Sequence, residues 1–177
     1  RTGKSFLLNL LVGGSGKGFT VGGTINACTK GLWIWGQPIE MEDGTTVVFV
    51  DTEGLGSTER GQTHDTRIFA LALLLSSHFI YNSRGVIDGN AIDDLSLVIN
   101  LTKHIQTSAR SANDGSDLHE FFPSLLWVVR DFTLQLEEQG KKITSRQYLD
   151  NALKPQGGFG EDATKKNQIR LLLSNFF

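Results

Sequence analysis

The residues best suited to chemistry stand at the start of the chain, in the stretch RTGKS (1–5). A phosphate-binding loop has the pattern G-x-x-x-x-G-K-[ST], and this stretch supplies the second half of it. In such a loop, backbone N–H groups and the start of the following helix hold phosphate oxygens. Lys4 would contact the outer phosphates and the Ser5 hydroxyl would bind Mg²⁺. Because a G-K-S triplet also occurs by chance, an accidental match stays open at this point.

The first glycine of that pattern would lie before Arg1, outside the sequence. We therefore expect the sequence to be a piece of a longer chain that starts inside the loop. A second glycine-rich run, GGSGKG (13–18), fits the pattern less well. Gly18 stands where a metal-binding hydroxyl is needed, and the run follows a predicted helix instead of preceding one. We interpret it as a turn that ends the helix.

A second candidate cluster is VVFVDTEG (47–54), an apolar run that ends in Asp51. An aspartate directly after a buried strand orients Mg²⁺ in phosphate-loop nucleotidases. Gly54 would let the backbone approach a terminal phosphate, and Glu53 is placed to hold a water molecule. An acidic turn after a strand is the ordinary alternative. The order of the two motifs along the chain favours the functional interpretation.

Two weaker candidates complete the set. The Thr29 hydroxyl, in ACTKGLW (27–33), could close over Mg²⁺ when a terminal phosphate is present. Asp131, in VVRDF (128–132), could accept two hydrogen bonds from the N1–H and N2–H₂ edge of guanine, and Arg130 could stack on the base. Adenine lacks that donor pair. Taken alone, each is better explained as an ordinary loop threonine or a surface Arg–Asp pair.

The elements that must position these residues follow from hydrophobic patterning. Short apolar, β-branched runs predict buried strands over 46–50, 78–83 and 125–129. Helical periodicity, with a capping box at Thr144 and Gln147, predicts helices over 5–12, 66–76, 88–106, 145–153 and 164–176. Buried strands alternating with helices indicate an α/β fold with a largely parallel central sheet. Ligands bind at the carboxyl ends of such strands, which is where Asp51 and Asp131 stand.

Composition narrows the function classes. The chain has 177 residues and a net charge of −2, so no basic excess favours nucleic acid or an anionic membrane surface. Its one cysteine, Cys28, excludes an internal disulfide framework. The four histidines are not at metal-ligand spacing. The longest apolar run, 68–75, is far shorter than the roughly 20 residues that span a bilayer.

The motifs in this order resemble the GTPase domain of the guanylate-binding protein family, which are dynamin-related large GTPases. The stretches that carry the resemblance are RTGKSFLLN, TKGLWIW, DTEGLG, IFALALLLSSHFIYNS and FFPSLLWVVRDFTLQL. An arginine–aspartate base motif separates this group from Ras-like GTPases. Arginine before T-G-K-S, together with T-E-G, is more similar to guanylate-binding proteins than to atlastins. The similarity covers nearly the whole chain and is weakest at 107–118 and after 155.

The resemblance implies a three-layer, phosphate-loop G domain with a mostly parallel central sheet. Residues 1–177 would be a partial, N-terminally truncated domain, with the C-terminal helical domain outside the sequence. It implies Mg²⁺-dependent hydrolysis of GTP, coupled to homodimerisation of G domains, and no nucleic-acid partner. It also implies a cytoplasmic protein, with peripheral membrane association open only through regions outside this sequence.

The family's functional residues carry over to matching positions here. The implied catalytic residues are Arg1, Thr29 and Glu53. Arg1 would be an internal arginine finger that aligns on dimerisation. Ser5 and Thr29 would bind Mg²⁺ directly, and Asp51 would bind it through water. The implied nucleotide contacts are Arg1, Thr2, Gly3, Lys4, Ser5, Val21, Gly22, Gly23, Asp51, Thr52, Glu53, Gly54, Leu55, Arg130 and Asp131.

One residue departs from the family pattern. Some members carry a water-placing serine two residues before the switch threonine, where this chain has Ala27. This keeps open a nucleotide-dependent assembly module with little or no turnover. An ATP-using phosphate-loop enzyme is a third interpretation. Whether hydrolysis continues to GMP stays open as well.

Overall fold

The computed structural model describes six ranges of the chain. They are residues 2–13, 18–22, 29–54, 62–96, 123–158 and 160–176. The chain forms two compact units, Arg1–Leu75 and Ser76–Phe177. In the described ranges, no helix is both long enough and apolar enough to cross a bilayer.

The described residues of the first unit form two helices and four short strands. In chain order they are α1 (Lys4–Leu11), β1 (Leu32–Ile34), β2 (Ile39–Glu40), β3 (Thr46–Val47), β4 (Val50–Thr52) and α2 (Gln62–Leu75). Strands β1 and β4 pair antiparallel, and β2 and β3 form a separate antiparallel pair. The single strand predicted over 46–50 is therefore divided, because its two ends pair with different partners.

Both helices of this unit confirm the sequence prediction. Helix α1 begins after Gly3, whose φ of 75° lies in the left-handed region that favours glycine. Helix α2 starts a turn earlier than the predicted 66–76 and buries Phe69, Ala72 and Leu73. This i, i+3, i+4 spacing places the three apolar side chains on one face.

The described residues of the second unit include a parallel strand pair. Its elements are β5 (His78–Arg84), α3 (Gly89–Asp94), β6 (Ser124–Arg130), β7 (Glu137–Glu138), β8 (Lys141–Lys142), α4 (Ser145–Ala152) and α5 (Glu161–Phe176). Strands β5 and β6 pair in parallel from His78 with Ser124 to Arg84 with Arg130. Helices combined with this parallel pair confirm the predicted α/β class.

Helices α3 and α5 pack together in the core of this unit. Ile92, Leu95, Ile169 and Leu173 are almost fully buried. Lys166 on α5 forms an ion pair of 3.2 Å with Asp93 on α3. The helix predicted over 88–106 is confirmed at its start, where α3 ends at Asp94, and its part from 97 onward lies outside the described residues.

The predicted capping box of α4 is present. The Thr144 hydroxyl accepts the Gln147 backbone N–H at 3.1 Å, and the Gln147 side-chain oxygen accepts the Thr144 N–H at 2.8 Å. Two N–H groups that an isolated helix start leaves unpaired are thereby satisfied. The predicted helix 145–153 is confirmed within one residue.

Replacing Thr144 with alanine is expected to destabilise α4 by about 1 kcal/mol, because the cap is lost. The backbone amide hydrogens of α4 should then exchange with solvent about fivefold faster, as measured by hydrogen-exchange mass spectrometry of the natural full-length protein. Thr133→Ala, a change at an exposed loop threonine, is the matched control and should leave this exchange unchanged. Equal exchange in both variants would show that the box does not stabilise α4.

Candidate functional site

Lys4 is the first residue of α1 and lies partly buried beside the loop that follows β4. A Cβ added to Gly54 would be 3.4 Å from the Lys4 Nζ, so the ammonium reaches the Gly54 backbone. Burial lowers the pKa of Lys4, and the carboxylates of Asp51 and Glu53 oppose that shift. A desolvated cation in this position is suited to bind an anionic ligand.

Three oxygen-bearing side chains meet next to this lysine. The Ser5 hydroxyl donates to Asp51 Oδ2 at 2.5 Å, and the Thr29 hydroxyl donates to the same oxygen at 3.2 Å. The two hydroxyl oxygens are 3.2 Å apart. Asp51 is only 1% exposed, and its other oxygen accepts the Thr52 backbone N–H at 3.0 Å. The structure therefore brings together three residues that were expected to hold Mg²⁺, Ser5 and Thr29 directly and Asp51 through water.

The strand pairing explains how these distant positions meet. Asp51 is the central residue of β4, opposite Trp33 of β1, and its side chain is on the buried face. Thr29 lies three residues before β1, and the pairing of β1 with β4 therefore places it close to Asp51. Helix α1 packs against β4 and brings Ser5 from the other side.

Glu53 is fixed from several directions. Its side-chain Oε2 accepts the Gly31 backbone N–H at 2.9 Å, and its own N–H donates to the Gly31 carbonyl at 2.8 Å. His64 Nε2 lies 3.2 Å from the same Oε2. Glu53 is 4% exposed, and so its carboxylate is buried and held close to the segment that contains Thr29.

The donor set fits Mg²⁺. Both hydroxyls direct their hydrogen to Asp51, which leaves oxygen lone pairs for a cation. Mg²⁺ prefers oxygen ligands and takes one or two carboxylates together with substrate phosphates. In the described ranges no three His, Cys, Asp or Glu side chains form a group that could hold a metal ion. A metal ion at this cluster would need further oxygen atoms, from a bound phosphate or from water, to complete its coordination.

The side chain of Asn9, on α1, holds the segment 18–22 in place. The Asn9 side chain donates to the Phe19 carbonyl at 2.9 Å and accepts the Phe19 N–H at 2.7 Å. A Cβ at Gly18 would stand 2.4 Å from the Asn9 side-chain oxygen, so a larger residue there would have to displace the Asn9 side chain from Phe19. Sequence reasoning missed this role of Asn9. The predicted nucleotide contacts Val21 and Gly22 lie in this segment and are exposed.

The predicted base-reading pair lies in the second unit. Asp131 follows β6 directly and has a φ of 55°, which is uncommon for a residue other than glycine. Arg84 donates to Asp131 Oδ2 through Nε at 2.8 Å, and its Nη2 lies 2.7 Å from that oxygen. Both side chains are more than half exposed. Register explains the contact, because Arg84 stands opposite Arg130 in the parallel pair.

Several predicted site residues remain without a structural test. Arg1, Gly23 and Leu55 lie outside the described residues, as does Ala27. A common ligand for Asp131 and the Lys4 cluster stays a prediction. The remaining predicted contacts flank residues already placed, and they are Thr2, Gly3, Thr52 and Gly54.

Comparison with known proteins agrees with these motifs. Residues 1–177 match the family model for the guanylate-binding protein N-terminal domain. The whole chain is 43% identical to human guanylate-binding protein 2, 45% to mouse guanylate-binding protein 5 and 42% to human guanylate-binding protein 1. It spans 31% of the length of each of these curated relatives. The chain belongs to the guanylate-binding protein family.

Proposed function

We propose that the protein binds GTP together with Mg²⁺ and hydrolyses it to GDP and phosphate. The observation that carries this proposal is the meeting of Ser5, Thr29 and Asp51 beside the ammonium of Lys4. Family membership agrees with a guanine nucleotide as the ligand. These three oxygen-bearing side chains could bind Mg²⁺, and the partly buried ammonium of Lys4 could bind the phosphates of a magnesium–triphosphate complex.

Positioning and charge stabilisation account for most of phosphoryl-transfer catalysis. Lys4 would bind oxygens of the outer phosphates and offset charge that develops on them. The hydroxyl oxygens of Ser5 and Thr29, oriented by Asp51, would hold Mg²⁺. The ion would supply further positive charge at the phosphates when bound.

Glu53 would orient the attacking water, because its carboxylate is buried and fixed next to the segment of Thr29. The water oxygen forms a bond to the γ-phosphorus while the bond from that phosphorus to the bridging oxygen breaks. GDP leaves with the bridging oxygen, and the proton of the water passes to solvent or to phosphate. In the second unit, Asp131 would read the guanine edge and Arg130 would orient the base.

The test is phosphate release by the natural full-length protein with GTP, under single-turnover and steady-state conditions, with Mg²⁺ or with excess EDTA. We expect turnover with Mg²⁺ and none with EDTA. GTP binding without any single turnover would instead support a nucleotide-dependent assembly module, which Ala27 favours. Absence of GTP binding would contradict the proposal as a whole.

We also propose that hydrolysis is coupled to homodimerisation, with Arg1 as an arginine finger. Such a group contributes about 10³–10⁵ in rate in other GTPases. Activity per molecule of the full-length protein should therefore rise at least about tenfold from dilute to concentrated solution. An Arg1→Ala variant, compared over the same concentrations, should lose this rise. A wild-type activity that is flat over a wide range would remove the coupling.

A further inference from the structure

His64 is a polar residue of the first unit that no predicted motif includes. Its Nε2 lies 3.2 Å from Glu53 Oε2, and its side chain is 31% exposed whereas that of Glu53 is 3% exposed. Because an ionised carboxylate only accepts hydrogen bonds, we assign Nε2 as the donor in this contact. Charge assistance makes such a bond stronger than one between neutral groups.

The contact joins the start of α2 to the residue that follows β4, Glu53. His64 stands in the first turn of α2, which is anchored by the buried Phe69 and Leu73. On the same Glu53 oxygen, the Gly31 N–H donates at 2.9 Å. Glu53 is therefore held between a helix and the segment that contains Thr29.

We infer that His64 is a positioning residue for GTP hydrolysis, acting through Glu53. By donating from Nε2 it fixes the carboxylate in the orientation that the attacking water needs. The contact proposed for the phosphates, from Lys4, and the contact proposed for Mg²⁺, from Ser5, do not pass through His64. The inference rests on the proposed function, since it assigns a role within the same reaction.

The decisive experiment compares two amide variants of the natural full-length protein. In His64→Gln the side-chain nitrogen can reach the place of Nε2, and in His64→Asn it reaches only the place of Nδ1. We expect kcat within about twofold of wild type for H64Q and about tenfold lower for H64N, because one charge-assisted hydrogen bond is lost. KM for GTP should stay within about twofold in both, as only an interaction that favours the transition state is removed.

Two further variants complete the design. His64→Ala should match H64N, and Arg67→Ala, at an exposed position of the same helix, should behave as wild type. Thermal unfolding of all four variants checks that the fold is kept. If His64 had a merely structural role, the kcat of H64Q and H64N would fall in proportion to their loss of thermal stability.

The outcomes separate the two levels of the proposal. Wild-type kcat in H64N would overturn the inference and leave the proposed function intact. Equal losses of kcat in H64Q and H64N would also overturn it, because donation from Nε2 would then not matter. Absence of GTP turnover in wild type would instead contradict the proposed function.

Discussion

Replacing Lys4 with alanine is expected to lower kcat for GTP at least about 100-fold and to weaken GTP binding about tenfold or more. Preorganised groups aimed at developing charge typically contribute about 10²–10³ in rate in a desolvated site. Lys4 meets that description, because it is partly buried and its ammonium reaches the backbone at Gly54. Steady-state phosphate release and titration of a fluorescent GTP analogue with the full-length protein measure both effects.

Lys141→Ala is the matched control, since Lys141 is an exposed lysine of β8 in the other unit. It should keep wild-type activity. Thermal unfolding of both variants separates a loss of function from a loss of structure, because Lys4→Ala removes a cation close to Asp51 and Glu53. A folded Lys4→Ala variant with near wild-type turnover would place the phosphate site elsewhere.

Replacing Asp131 with asparagine is expected to change the preferred base from guanine to xanthine. In the proposed site the aspartate would accept from N1–H and the N2 amine of guanine, whereas asparagine would accept from N1–H and could donate to the O2 of xanthine. We expect the ratio of XTP to GTP affinity to rise about 100-fold or more, because the wrong base leaves polar groups unpaired. Competition titrations with GTP, XTP and ATP measure this ratio.

The control for this change is Asp150→Asn, at an exposed helix position where Asp150 pairs with Arg146. It should leave the ratio as in wild type. An unchanged preference in Asp131→Asn would mean that another residue reads the base. Displacement of GTP by ATP with equal affinity in wild type would remove the role of Asp131.

The elements that could be predicted from sequence were those with strong local signals. Helix α2 and strand β6 each contain a continuous apolar run, β5 contains the apolar run Phe79–Tyr81, and α4 carries its own capping box at Thr144. Strands β1, β2, β7 and β8 are two or three residues long and were missed. A strand of two or three residues is too short to show a hydrophobic periodicity, and its pairing depends on partners elsewhere in the chain.

The candidate site shows the same division. Lys4, Ser5 and Asp51 stand in motifs whose chemistry fixes their type and spacing, so they could be identified without coordinates. Asn9, His64 and Arg84 act as hydrogen-bond partners of other residues, and nothing in their local sequence marks that role. Their functions arise only when α1, α2 and β5 are placed next to their neighbours.

The most direct test of the account is a crystal structure of the full-length protein with a non-hydrolysable GTP analogue and Mg²⁺. We predict that the Lys4 ammonium contacts the outer phosphates, that Ser5 and Thr29 coordinate the ion, and that Asp131 contacts the guanine. An analogue bound elsewhere, with the Lys4 ammonium and the Ser5 hydroxyl touching neither phosphate nor metal, would contradict the central claim.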